Sequence, residues 1–166
     1  MSSTEPLRIG WREWVALPEF NIPAIKTKID TGARTSALHT FRLEDFRENG
    51  QAKVRFWIHP SRRDIAREIL CVAQVVDRRV VCDSGGHRED RFVIHTPVRL
   101  HGREWSIEIT LTNREDMLFR MLLGRSALVA GGMVVDPSAS YLAGAPRKGY
   151  RRHRSMSRLH SPKAPR

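Results

Sequence analysis

Cysteine is scarce: Cys71 and Cys82 are the only two in 166 residues. Two thiols make a poor disulfide framework, and that scarcity points to a reducing compartment, the cytoplasm. No apolar run approaches the roughly twenty residues of a membrane helix, and the N-terminus lacks the apolar core of a signal peptide. Membrane partners are therefore not expected. The sequence has no His-Glu-x-x-His pair and no Gly-rich lysine loop, which argues against a helix-borne zinc site and a phosphate-cradling loop. It shows no internal repeat and no aromatic-glycine RNA motif.

Positive charge is plentiful but unevenly placed. The formal net charge is +11, yet eight of the 29 Lys and Arg fall between Gly144 and Arg166, where no acid occurs. The remainder carries 21 basic residues against 18 acidic ones and is only mildly basic. The Arg-, Ser-, Pro- and His-rich end cannot offset its ordering entropy by burial. The reading is a globular domain over residues 1–143 and a basic disordered tail over 144–166, able to make weak, salt-dependent nucleic-acid contacts.

The body reads as short strands. Trp14–Leu17 stops at Pro18, and Ile22–Ile29 follows. Phe41–Arg47 and Lys53–His59 flank an Asn49-Gly50 turn, a hairpin signal. Ile69–Val76 and Arg79–Cys82 read as two strands. Arg91–Leu100 and Glu104–Thr112 flank a second hairpin turn at His101-Gly102-Arg103. Asn113–Phe119 suits a capped helical turn, Ser126–Val129 a short helix, and Met133–Val135 a last strand. Ser61–Arg67 reads equally as a basic loop or one helical turn. The expected class is all-β, a closed or folded-over sheet with one or two short helices.

Asp30-Thr31-Gly32-Ala33 carries the most information. It ends an apolar strand on a tight turn, which puts a carboxylate at the floor of a cleft. Leu122-Leu123-Gly124-Arg125, far downstream, is an apolar pair suited to pack beneath that turn. An isolated Asp-Thr-Gly most often only starts a turn; the second run shifts the reading toward chemistry. One ionised and one protonated carboxyl sharing a water hydrolyse a peptide bond. The chain offers one suitable aspartate, so a pair needs a second copy. A serine at position 33 would hydrogen-bond that aspartate; alanine cannot, which favours activity nearer neutral pH.

Lys28 to His39, Leu111-Thr112-Asn113-Arg114 and Phe119 to Arg125 together resemble a bacterial family labelled ATP-dependent zinc proteases and regarded as retropepsin-like aspartic endopeptidases. The similarity covers Ile9 to Tyr141. It implies a retropepsin-like acid-protease β-barrel acting as a homodimer, with Asp30, Thr31 and Gly32 catalytic. It also implies that Leu122, Leu123, Gly124 and Arg125 support the active loop, Arg125 by charged hydrogen bonds for which Glu115 and Asp116 are candidate acceptors. The retroviral flap corresponds to Val80–His87 returning through Phe92–Ile94. Ala33, Arg34, Ser84, Gly85, Gly86 and His87 are then substrate-binding, although an ordinary hairpin loop fits Ser84–His87 as well.

Two departures stand out. Arg34 replaces the usual acid, which suits an acidic peptide or protein substrate. Thr40–Ala73 is an added segment. The family's association with ligases that append glutamates to a ribosomal protein implies glutamate-rich tails as substrate. No cofactor is expected. Were zinc to bind, His39 and His87 flank the proposed cleft. The rival readings are a non-catalytic binding module docking on ribosome or RNA and a zinc-dependent hydrolase.

Overall fold

The computed structural model describes residues 5–82, 85–114 and 117–144. Among them eleven strands, one short α-helix and one 3-10 turn at Pro18–Phe20 are found, the strands and α-helix in the order β1 Leu7–Gly10, β2 Arg12–Leu17, β3 Ile22–Asp30, β4 Ser36–His39, β5 Arg42–Glu48, β6 Gln51–Ile58, β7 Ile69–Cys82, β8 Arg88–Leu100, β9 Arg103–Thr112, β10 Met121–Gly124, α1 Arg125–Ala130 and β11 Met133–Asp136. The all-β expectation holds. Nine strands form one sheet in the order β2-β3-β10-β4-β9-β8-β7-β6-β5, and a β2–β8 pairing at Ala16 and Arg99 closes its first six strands on themselves. A parallel β1–β11 ribbon stands apart from that sheet. Among the described residues no helix is long and apolar enough to cross a membrane.

Local chemistry explains both tight hairpins. Asn49 and Gly50 have φ of 53° and 76°, and His101 and Gly102 have 54° and 76°. Two successive positive φ values make the turn whose twist matches paired strands. The core gathers Ile9, Leu17, Ile22, Ile25, Leu38, Phe56, Ile94, Ile109, Met121 and Leu123, all fully buried.

The expected break between Val76 and Arg79 is instead a bulge: β7 is one strand whose register against β8 shifts between Val75 and Asp77. A bulge absorbs an extra residue without ending the ladder. Met117 N–H donates to Arg114 O at 3.3 Å, and the residues between them, where the helical turn is expected, lie outside the described residues. Ser61–Arg67 is two consecutive turns, closed by Asp64 N–H on Ser61 O and Arg67 N–H on Asp64 O. Trp105 is half-buried and donates Nε1–H to Ala127 O at 3.1 Å. Trp57 is half-buried beneath the Arg42 guanidinium.

Glu13 is fully buried, and its carboxylate accepts main-chain N–H bonds from Gly10 at 3.1 Å, Leu142 at 2.9 Å and Ala143 at 2.8 Å. These bonds satisfy a charge that would otherwise be costly to bury. Beyond Gly144 the basic stretch lies outside the described residues.

Candidate active site

Three strands meet at Asp30. β3 and β4 are consecutive in the chain, yet β10 lies between them, parallel to β3 and antiparallel to β4. The register places Gly124 beside Asp30, Leu123 beside Ile29 and Leu122 beside both Lys28 and Ala37. Side chains alternate along strands, so one face carries Asp30, Lys28, Leu122, Ala37 and His39. The other carries Thr27, Ile29, Ser36, Leu38, Met121 and Leu123, each at most 6% exposed. Burial of that apolar face fixes the register, because a one-residue slip would turn it outward.

The loop is tied by main-chain atoms. Asp30 Oδ1 accepts the N–H groups of Gly32 at 3.1 Å and Ala33 at 3.2 Å. Its Oδ2 accepts none among the described residues. Arg125 N–H donates to Ala33 O at 2.7 Å and Ser126 N–H to Arg34 O at 3.1 Å, so the start of α1 clamps the loop. Gly124 N–H donates to Ser36 Oγ at 3.0 Å. A Cβ on Gly124 would lie 2.6 Å from the Thr35 carbonyl carbon and 2.9 Å from Ser36 N. Only glycine permits that approach.

The sequence-derived residues divide into two groups. Asp30, Thr31, Gly32, Ala33 and Arg34 meet Leu122, Leu123, Gly124 and Arg125 at this crossing. Arg125 Nη1 donates to Thr31 O at 3.2 Å. Its expected partners, Glu115 and Asp116, lie outside the described residues. Thr31, Gly32 and Arg34 are exposed and Asp30 is half-buried. Arg34 does not reach the surface acid Glu44, which pairs with Arg42 and Arg55.

Gly85, Gly86 and His87 are exposed at the tip of the β7–β8 hairpin, with Gly86 at φ 81°. Ser84 lies outside the described residues. Behind the tip, Glu89 accepts Thr112 Oγ1 at 2.8 Å, Asn113 N–H at 3.4 Å and Arg91 Nε at 2.9 Å. Burial alone would raise its pKa, but these bonds and the Arg91 charge outweigh it and hold the carboxyl below its usual range. Arg91 continues to Thr110, whose hydroxyl reaches Ser36 O at 3.0 Å. A polar chain thus runs from the hairpin to the residue under Gly124.

Sequence reasoning assigned no role to Ser36, although it lies in the Lys28–His39 run, or to Glu89, which belongs to no recognisable motif. Among the described residues no three His, Cys, Asp or Glu side chains gather as a metal-ligand group. His39 is buried on β4, and His87 lies in the exposed hairpin tip.

Relatives agree with this architecture. The crystal structure of Lpg0085, a Legionella pneumophila protein of unknown function, superposes with a TM-score of 0.70 at 24% identity, covering 82% of this chain and 98% of that one. Proteins named probable alpha-L-glutamate ligase from Desulfotalea psychrophila and Shewanella pealeana are 44% and 43% identical over 130 and 136 residues. Those stretches are 78% and 82% of this chain but only 28% and 30% of the relatives' length. Neither zinc nor ATP enters the description of the matching family. With that model, described as retropepsin-like aspartic endopeptidase RimB, matching residues 8–146, the chain belongs to the RimB-like family.

Proposed function

We propose that this chain is an aspartic endopeptidase that works as a homodimer, each copy supplying Asp30. The carrying observation is the carboxylate at the three-strand crossing, with Oδ1 fixed by two main-chain N–H groups and Oδ2 free of protein bonds among the described residues. Of two facing carboxyls, one takes a proton from water and the other, protonated, polarises the scissile carbonyl. Sharing of one proton by close carboxyls is a rule drawn from aspartic proteases as a class. A pairing surface is available beside the loop: Val129 on α1 and Val134 on β11 are 74% and 53% exposed.

The substrate class is an acidic peptide segment, such as a glutamate-rich tail of a ribosomal protein. Exposed Arg34 beside the loop and the ligase names of the longer relatives support it. Gly85–His87 serve as a lid, and the basic end beyond Gly144 supplies dispensable nucleic-acid contact in a cytoplasmic protein.

The test is cleavage of glutamate-rich peptides by wild type and Asp30→Asn. The variant should lose on the order of 10²–10⁴-fold in kcat with its melting temperature unchanged. Excess Asp30→Asn mixed into wild type should depress activity through dead heterodimers. Full activity from a demonstrably monomeric protein would sink the dimer.

A second reading is favoured by the same relatives. Because the matching domain is a minor part of proteins named as ligases, it fits a non-catalytic module that holds glutamate-bearing chains. Binding of those peptides without turnover by wild type would select it.

A further inference from the structure

We propose that Arg120 forms a carboxylate-binding subsite on the Asp30 face of the sheet, taking an acidic side chain of an extended peptide. This rests on the peptidase reading for its substrate but not for its site.

Arg120 immediately precedes β10, and its carbonyl accepts the His39 N–H at 2.8 Å, extending the β10–β4 ladder by one pair. Alternation from Gly124 through Leu122 puts Arg120 on the face that carries Asp30. Four residues of strand separate it from the Gly124–Asp30 pair, roughly 13 Å at 3.3 Å per residue. An extended peptide with its scissile bond at Asp30 therefore has a side chain within reach of Arg120 a few residues away.

The guanidinium is incompletely satisfied. Arg120 Nε is buried and has no hydrogen-bond partner among the described residues. A buried donor without an acceptor is costly, and native structures rarely keep one without reason. Burial first, and the Arg62 charge second, hold the Arg120 pKa below its usual value. An anion at the Arg120 guanidinium relieves both penalties at once.

The register also puts acids of β7, β8 and β9 on this face, and they are committed elsewhere: Asp77 binds Arg79 and Glu104 binds Arg99. Glu89 binds Thr112, Asn113 and Arg91, and Glu108 binds Arg79 and His95. A single arginine fork matches a carboxylate with two parallel hydrogen bonds. Its place on the strand face that holds the candidate catalytic group favours a peptide carboxylate over a nucleic-acid phosphate.

The test reads binding without turnover. Asp30→Asn protein, with and without Arg120→Met, is titrated calorimetrically with a glutamate-rich peptide and its glutamine counterpart at fixed ionic strength. Arg120→Met should weaken the glutamate peptide roughly ten- to 100-fold and leave the glutamine peptide unchanged. Its melting temperature should stay level or rise, because an orphaned donor has gone. Arg62→Gln, at an exposed position, should cost a few-fold on the glutamate peptide alone.

Undiminished glutamate binding in both variants overturns the subsite. So does a loss shared equally by the glutamine peptide, or stronger competition by an oligonucleotide or inorganic phosphate than by the glutamate peptide. Because no cleavage is needed, a wild type that hydrolyses nothing defeats the peptidase reading and leaves this result standing.

Discussion

Around Asp30 the strands β3, β10 and β4 are joined by main-chain bonds, with Gly124 in close backbone contact with Thr35 and Ser36. In the outer sheet of β5, β6 and the first half of β7, long side chains make the contacts. There Arg42 lies 4.4 Å from the Trp57 ring, Arg55 lies 4.4 Å from Phe46, and Leu70 and Val72 are more than half exposed. The outer sheet is built largely from the segment Thr40–Ala73, at the opposite end of the strand order from β2 and β3. The comparison teaches that precision at the crossing comes from close backbone approach, which admits no extra atom. The outer sheet buries Val54, Phe56 and Ile58 on one face, and on the other its long side chains make adjustable surface contacts.

Gly124→Ala should break the crossing most severely. The new methyl meets main-chain atoms of Thr35 and Ser36 at 2.6–2.9 Å, and neither can swing aside. A loss of about 3 kcal/mol or more is expected, read as a fall in the denaturation midpoint. Stability close to wild type would mean the strands are not packed this closely.

A smaller effect is expected at Glu89, which links the hairpin to β9. Its depressed carboxyl contributes stability that is fully present above its unfolded value of about 4.3 and is lost as pH falls through the lower folded value. Glu89→Gln should cost about 1 kcal/mol at neutral pH, a modest figure because the group is partly solvent-screened. The gap from wild type should close as pH drops below about 4. A gap constant across that range would assign the loss to packing rather than charge.

Arg125→Gln removes one bond to the Thr31 carbonyl at an exposed position. It should shift the melting temperature by only a few degrees, for about 1 kcal/mol, while lowering peptide turnover several-fold. Equal losses in stability and turnover would make the clamp purely structural. Smallest of all, Leu70→Thr with Val72→Thr in the outer sheet should change stability by about 0.5 kcal/mol or less. A large loss on dilution would instead reveal that this face is covered by a partner.

The sequence made the hairpins legible because Asn49-Gly50 and His101-Gly102 encode their own backbone. It made the crossing legible because Asp-Thr-Gly-Ala and Leu-Leu-Gly-Arg are informative as a pair. It hid β4, whose four residues are all buried and therefore do not alternate. That strand exists because β9 and β10 flank it, a non-local cause that no short window carries. The bulge in β7 was hidden for a related reason: Asp77-Arg78 looks like an interruption until β8 supplies the opposite ladder. Arg120 was invisible as a site residue because its significance lies in a missing acceptor.

The buried carboxylate of Glu13 has a bearing on how such a domain is joined to other polypeptides. Two of its three amide donors, at Leu142 and Ala143, lie past the last strand. A splice made directly after β11 would keep every strand and helix yet strip the charge of most of its ligands. In any fusion, the seam must therefore fall beyond Ala143.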